Sequence, residues 1–220
     1  MFFKSLTCDR HTYDRRGEGV RSRRGFSLLE LMIVVAITMT VMGIAIPKFL
    51  TAYYTVRLKA ACADLSGLMQ KGRIQAAREN AVFQVLYTAG SPQAAYVDMN
   101  NDQQWDGNAS VNGVTQSEPI IYLNQSITVP TSAPSGTGAP TPYVLVGDSS
   151  TANYDNATTL GWSARGLPCA YAGGVCATPS AGYFVYYVKD QRPTGNGWGA
   201  VVVTRTGRTK VVTWNGAAWQ

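Results

Sequence analysis

The chain has 220 residues, a net charge of +6 and a sequence pI of about 9.2. Most of the positive charge lies near the N-terminus: residues 1–25 hold seven of the 19 basic and three of the 13 acidic residues, so residues 26–220 carry a net charge of only +2. The basic character of the whole chain therefore does not by itself indicate a nucleic-acid-binding protein. Residues 26–220 are long enough for one membrane anchor and one domain of ordinary size.

An apolar stretch covers residues 26–46, and its one charged residue is Glu30. Twenty-one residues in a helix span roughly 30 Å, the thickness of the hydrocarbon core of a bilayer. Basic residues come immediately before the stretch, at Arg21, Arg23 and Arg24. Since basic flanks stay on the cytoplasmic side, we expect the chain beyond Pro47 to be exported.

The junction between this basic flank and the apolar stretch reads Arg23-Arg24-Gly25 and then FSLLELMIVVAI. It resembles the prepilin leader of type IV pilins and type II secretion pseudopilins, whereas an ordinary secretory signal is cleaved after its apolar run. The resemblance implies that a prepilin peptidase cuts between Gly25 and Phe26. It also implies that the new N-terminal Phe26 is N-methylated, that the apolar segment is retained, and that Glu30 guides subunits into a helical filament.

A carboxylate inside a membrane-spanning segment costs about 2.5 to 3.5 kcal/mol on insertion scales, so Glu30 needs an explanation. One interpretation is that Glu30 lies only about 6 Å inside the cytoplasmic edge and reaches the lipid headgroups. The other is that it pairs with the freed amine of Phe26 in an adjacent subunit, which neutralises both charges while the apolar helices pack together.

The helical pattern continues after Pro47, which predicts a kink and one helix from residue 26 to about residue 79. Steps of three and four mark one face that we expect to lie across a sheet: Leu58, Ala61, Leu65, Leu68, Gly72 and Ala76. Gly67 and Gly72 are costly in a helix, and close approach to another backbone is the explanation we favour. The remaining faces carry cations expected in solvent: Arg57, Lys59, Lys71, Arg73 and Arg78.

Beyond Asn80 the hydrophobic period changes to two, which is typical of strands. The candidate strands cover residues 82–87, 94–99, 120–123, 127–129, 143–146, 183–188, 200–204 and 209–214. The last two are joined by Arg205-Thr206-Gly207-Arg208, and the single glycine suits a hairpin turn. Residues 130–142 are rich in Pro, Ser, Thr and Gly and are expected to be a polar connection.

These elements predict an α+β fold, with one long N-terminal helix packed on antiparallel sheet in a pilin-like arrangement. The expected domains are a removed leader at 1–25, a transmembrane helix at 26–46, the exported half of the helix at 47–80 and a β-rich globular domain at 81–220. Several segments of the globular half are similar to the GspH/FimT family of minor pseudopilins and pilins, above all Ala77-Arg78-Glu79 and the Gly207-Arg208 hairpin. Residues 108–159 are expected to be loop-rich.

Three cysteines remain after residue 25, namely Cys62, Cys169 and Cys176. The last two flank a short segment that contains Gly173 and Gly174, so a disulfide is expected in an oxidising periplasm. Cys62 is predicted to be a small buried residue of the helix.

We expect no metal, no cofactor and no catalysis. The single histidine, His11, lies in the leader, which leaves no Ser-His-Asp or Cys-His set. Acidic residues at 98, 102 and 106 partly resemble a calcium loop, but Gln103 and Ala109 occupy the positions of the expected glycine and glutamate. An Asx-rich turn between strands is the favoured interpretation.

The resemblance implies a membrane-anchored minor subunit that assembles into or caps the filament of a type II secretion system or a type IV pilus. Its expected partners are other pilins or pseudopilins, the prepilin peptidase and the bacterial inner membrane, with the globular domain in the periplasm. Some FimT-like pilins bind DNA through a C-terminal GRxR sequence, to which Gly207-Arg208-Thr209-Lys210 corresponds with lysine in the last place. Arg205, Arg208 and Lys210 are therefore candidate DNA contacts; the alternative is a charged edge strand that resists aggregation.

Overall fold

The structure is a computed structural model, and it describes residues 25–88, 90, 92–130, 154–156, 160–177, 183–191 and 197–220. The leader up to residue 24, most of the polar connection, the candidate strand at 143–146 and Arg192 lie outside the described residues. The chain divides into two units, Met1–Ile46 and Pro47–Gln220. Each unit is described by itself below.

One helix, α1 (Leu28–Glu79), contains the apolar stretch, and Pro47 lies inside it without ending it. Its first turn begins with a hydrogen bond from the Leu31 N–H to the Ser27 carbonyl, at 3.1 Å. The described residues of the first unit are all exposed. The helix includes a window that is long and apolar enough to cross a membrane, and none of that window is buried.

In the second unit, α1 buries the face that the sequence predicts. Its buried residues are Leu58, Ala61, Cys62, Leu65, Leu68, Met69, Gly72 and Ala76. The explanation is wrong for Gly72, because a Cβ there would meet the Val97 and Trp162 side chains at 3.2–3.4 Å rather than a backbone. A Cβ at Gly67 would have no neighbour within 4 Å, so this glycine lies on an open face.

The helix ends in a Schellman motif. Asn80 has a φ of +49°, and the Ala81 N–H reaches back to the Ala76 carbonyl at 3.1 Å. Asparagine tolerates this left-handed conformation better than other non-glycine residues, so the chain can turn directly into the first strand.

Thirteen strands follow among the described residues: β1 (Phe83–Tyr87), β2 (Ala94–Asp98), β3 (Asn108–Val111), β4 (Val114–Ser117), β5 (Ile120–Tyr122), β6 (Ile127–Thr128), β7 (Tyr154–Asn156), β8 (Leu160–Trp162), β9 (Pro168–Ala172), β10 (Val175–Ala177), β11 (Tyr183–Asp190), β12 (Trp198–Thr204) and β13 (Thr209–Thr213). One sheet has the order β10-β9-β8-β1-β2-β5, and a second has the order β13-β12-β11-β6. Neighbouring strands are antiparallel, except that β7 pairs with β11 in parallel.

The main core lies between the buried face of α1 and both sheets. Phe83, Val97 and Trp162 contribute from the first sheet, and Tyr186 and Val201 from the second. The opposite face of the second sheet buries a smaller cluster around Val185, Val202 and Val212, which Trp198 and Trp219 partly cover. The predicted α+β class, with a long helix packed on antiparallel sheet, is confirmed.

The expectation that residues 108–159 are loop-rich is wrong at the β3–β4 hairpin. Its turn, Asn112-Gly113, has both φ angles positive at +52° and +79°, which suits a two-residue hairpin turn. The β9–β10 hairpin turns in the same way at Gly173-Gly174, with φ angles of +57° and +84°. Alternating burial was hard to recognise in such short strands, but both dipeptides are hairpin signals present in the sequence.

Candidate assembly and binding surfaces

The predicted processing and assembly residues lie at the start of α1. Gly25 and Phe26 precede the helix, the Phe26 side chain is 82% exposed, and Glu30 lies in the first turn. A carboxylate there is favourably placed relative to the positive end of the helix dipole. In the part of the chain that the structure describes, no side chain forms an ion pair with Glu30.

A second face of α1 stays exposed in the exported half and was missed by the sequence reasoning. It repeats at steps of four and three through apolar or small residues as far as Gly67 and resumes one heptad later at Ile74: Phe49, Tyr53, Val56, Ala60, Ala63, Gly67 and Ile74. Four of them are large hydrophobic side chains that are more than half exposed: Phe49, Tyr53, Val56 and Ile74. We call these seven residues the outer stripe. A period near 3.5 is the spacing of helix-to-helix seams, and this spacing is visible in the sequence.

Arg57 does not lie on a solvated face, which corrects the sequence expectation. Its guanidinium donates to the Asp190 Oδ1 at 3.1 Å, and the Asp190 side chain is completely buried. The same guanidinium lies 5.9 Å and 5.6 Å from the ring centroids of Tyr53 and Tyr54. This ion pair fixes α1 to the end of β11. Removing the Arg57 guanidinium would take a charged partner from the buried Asp190 carboxylate, which is costly.

Arg73 is also half-buried rather than solvated. Its Nη1 donates to the Gly207 carbonyl at 2.9 Å, and the Gln70 Nε2 donates to the same oxygen at 3.2 Å. Gly207 has a φ of +77°, and a Cβ there would lie 3.0 Å from the Arg73 guanidinium carbon. The turn between β12 and β13 is therefore fixed on the helix, and the glycine is required by both its conformation and its close approach. Lys59, Lys71 and Arg78 are exposed, as expected.

The candidate DNA contacts surround this fixed turn. Arg205, Arg208 and Lys210 are all exposed. Thr209 lies between the last two and faces the helix, where its Oγ1 meets the Ser66 Oγ at 2.9 Å. Because side chains alternate along a strand, Arg208 and Lys210 project to the face of the sheet opposite α1. The structure thus brings the three cations to one end of β13.

The sulfur atoms of Cys169 and Cys176 are bonded, with their Cα atoms 5.4 Å apart. This disulfide staples the β9–β10 hairpin at the edge of the first sheet. Cys62 is free and fully buried, and burial raises the pKa of its thiol to about 12. A thiol with such a pKa stays protonated and unreactive at neutral pH.

The acidic loop after β2 is organised by backbone hydrogen bonds. The buried Asp98 carboxylate accepts from the N–H groups of Asn101 and Gln103 at 2.7 and 2.9 Å, and the buried Glu118 carboxylate accepts from Met99 and Asp106 at 3.0 and 3.1 Å. Burial is the largest influence on both groups and raises both pKa values. Among the described residues, no group of three His, Cys, Asp or Glu side chains is arranged to hold a metal ion.

The comparison with known families identifies one motif. Residues 20–46 match the prokaryotic N-terminal methylation motif. Neither a curated protein sequence nor a solved structure matches the chain. The matched residues include Gly25, Phe26 and Glu30, together with the whole apolar stretch. The chain therefore carries a type IV prepilin-like leader on a helix that is able to span a membrane, which makes it similar to the structural, non-enzymatic subunits of type IV pilin and pseudopilin assemblies.

Proposed function

We propose that this chain is a membrane-anchored minor subunit of the GspH/FimT kind, which assembles into or caps the filament of a type II secretion system or a type IV pilus. The observation that carries the proposal is the N-terminal methylation motif at residues 20–46. In this proposal residues 1–25 are removed, residues 26–46 anchor the subunit in the inner membrane, and residues 47–220 are exported to the periplasm. The subunit acts by assembly and carries out no catalysis.

The outer stripe supports the proposal because a helix that only completed a monomer would not need it. Large apolar side chains at Phe49, Val56 and Ile74 face solvent, although the opposite face already supplies the core. Between them, Ala60, Ala63 and Gly67 are small enough for a second helix to approach closely. We propose that the stripe packs against the helix of a neighbouring subunit once the filament forms.

In this proposal Glu30 fixes the axial position of each subunit relative to its neighbours in the filament. Cleavage after Gly25 would free an amine at Phe26, and a carboxylate from an adjacent subunit would neutralise it within the membrane. A subunit displaced from the correct position would leave both charges unpaired in the hydrocarbon region. The pairing therefore favours one axial position over its neighbours.

Gly67 offers a direct test of the assembly surface, because a side chain there meets nothing within the chain itself. Gly67→Leu should leave the subunit folded, since replacing a helical glycine is worth roughly 1 kcal/mol in its favour, but should block close helix approach. Gly67→Ala is the matched control, with the same gain in helix propensity and little added bulk. Both variants would be co-expressed with the partner pilins and the prepilin peptidase, and incorporation measured by crosslinking in isolated filaments.

The assembly proposal predicts that Gly67→Leu is processed at Gly25 but excluded from filaments, whereas Gly67→Ala is incorporated normally. Intact mass of the membrane-extracted protein reports the processing step. A mature N-terminus beyond Ile46 would remove the anchor and contradict the pilin-like function. Normal incorporation of Gly67→Leu would show that the outer stripe is not an assembly surface.

A second candidate function is a filament-borne DNA receptor. It is favoured by one observation, that Arg205, Arg208 and Lys210 are exposed around a turn that Arg73 fixes on the helix. Three phosphate contacts would give weak binding, with a log–log salt slope of roughly −2 to −3. A DNA titration of the full chain in detergent at two salt concentrations tests it. Binding that Arg208→Ala does not weaken would exclude the hairpin as the receptor site.

A further inference from the structure

The second sheet ends in a strand whose outer edge is partly unpaired. β13 pairs with β12 on one side, and the Trp214 N–H donates inward to the Trp198 carbonyl at 2.9 Å. In an antiparallel strand the backbone groups of successive residues point to opposite sides, so those of Thr209, Val211 and Thr213 point away from β12. The Thr213 N–H donates to the Gln220 carbonyl at 2.8 Å, and the Thr213 carbonyl accepts from the Gln220 N–H at 2.9 Å. In the described part of the chain, the backbone groups of Thr209 and Val211 have no such partner.

The helix α1 lies beside this edge. Thr209 contacts Ser66 and Gln70 at one end, through side-chain hydrogen bonds of 2.9 and 3.2 Å. At the other end a cavity of about 390 Å³ lies between the two elements, lined by Thr55, Leu58, Lys59, Thr213, Trp214, Asn215 and Gln220. Lys59, which lies on the same side of α1 as Ser66, is exposed. The cavity therefore lies next to the edge of β13, since Thr213 and Gln220 belong to both.

The charges of this surface select what can pair with it. Lys59 lines the cavity on the α1 side of the strand, and Arg208, which immediately precedes the strand, is exposed on its opposite face. A second copy of the same edge would place like charges opposite one another, which is unfavourable. A strand with carboxylates on both of its faces would complement Lys59 and Arg208 and supply the missing backbone partners.

From these observations we propose that the edge of β13 binds an extended acidic segment of a partner protein by strand addition. The added strand would lie next to β13 on the same side as Gln220 and pair with the backbone groups of Thr209 and Val211. One acidic side chain would enter the cavity next to Lys59. This interaction is separate from the outer stripe and does not depend on filament assembly.

The test uses the full chain in detergent micelles and a synthetic peptide of two glutamates, two valines and two glutamates in that order, blocked at both ends, so that both faces of the added strand carry carboxylates. Binding should slow amide hydrogen exchange at Thr209 and Val211, which an unpaired edge leaves fast. Two control peptides separate the contributions. One replaces glutamate by lysine, and the other carries methyl groups on alternate backbone nitrogens, so it cannot form the ladder.

Val211→Pro removes one outward N–H and leaves the hydrogen bonds to β12 in place. It should lower the affinity for the glutamate peptide about three- to tenfold. Val211→Ala is the matched control, because it shortens the same side chain and keeps the N–H. Lys59→Gln should lower the affinity for the peptide about two- to fivefold. Lys71→Gln should leave this affinity unchanged, because Lys71 is exposed but does not line the cavity. The exchange measurement on the unaltered chain remains decisive if Val211→Pro fails to fold.

Strand addition would be overturned if the peptide bound without protecting the Thr209 and Val211 amides, or if the N-methylated peptide bound equally well. It would also be overturned if an oligonucleotide displaced the peptide and the Val211→Pro and Val211→Ala variants bound the peptide with equal affinity. That result would assign the cations to nucleic acid. No binding of the glutamate peptide at low salt would likewise exclude the proposal.

Discussion

The packing of Cys62 against Gly199 allows a quantitative prediction. Gly199 lies in β12 opposite Thr213, and a Cβ built on it would lie 2.7 Å from the Cys62 Sγ, closer than real Cβ atoms approach a neighbour. The Leu58 Cδ1 and the Val212 carbonyl oxygen would also lie at 3.6 and 3.5 Å, so the methyl group has no alternative space. Cys62 is completely buried on the helix side of this contact.

Gly199→Ala should therefore lower the free energy of unfolding by about 1–3 kcal/mol, the usual cost of forcing extra carbon into a packed core. Cys62→Ala removes the sulfur and leaves a small void, which should also cost about 1 kcal/mol. In the double variant the new methyl group occupies the space left by the sulfur. The two changes should then cost less together than the sum of their separate costs, with a coupling energy of about 1–3 kcal/mol.

The assay is urea unfolding of the full chain in detergent, followed by tryptophan fluorescence, for all four members of the cycle. Trp162 is a fully buried reporter in the same core. Additive costs would refute the reasoning, since they would show that the thiol and the glycine do not share one space. The thiol itself should remain unmodified by alkylating reagents at neutral pH, in keeping with its raised pKa.

Three further predictions concern charged groups. Glu30→Ala should leave membrane insertion intact but reduce crosslinking to neighbouring subunits; unchanged crosslinking would favour headgroup solvation as its whole role. Arg57→Ala should lower the free energy of unfolding in urea by about 3–5 kcal/mol, because Asp190 stays buried without its cation; a loss below about 1 kcal/mol would refute this. Folding raises the pKa values of Asp98 and Glu118, so their contribution to stability should increase as the pH falls through the folded pKa values toward about 4. The free energy of unfolding in urea should therefore differ less between pH 7 and about pH 4.5 in Asp98→Asn than in the unaltered chain.

Local patterns in the sequence were sufficient for the helix and for most of the second sheet. The helix is long, strongly periodic and ends at Asn80, so its bounds were predicted to within two residues at each end. β11, β12 and β13 are rich in valine, tyrosine and threonine, and their existence followed from these β-branched and aromatic residues. The leader was recognisable because a short basic flank, a glycine and an apolar run with one glutamate lie next to one another in the chain.

Only the tertiary structure decided which cations are solvated. Arg57 and Arg73 look like surface residues by spacing, yet each pairs with an oxygen more than a hundred positions away, in Asp190 and Gly207. The open edge of β13 and the cavity beside Lys59 likewise depend on where the helix crosses the sheet. Contacts within a helical turn or a hairpin leave a periodic trace in the sequence, whereas contacts between distant segments leave none. The anchor and the helix were therefore determined locally, but the surfaces on which binding depends are set by how the sheet folds back on the helix.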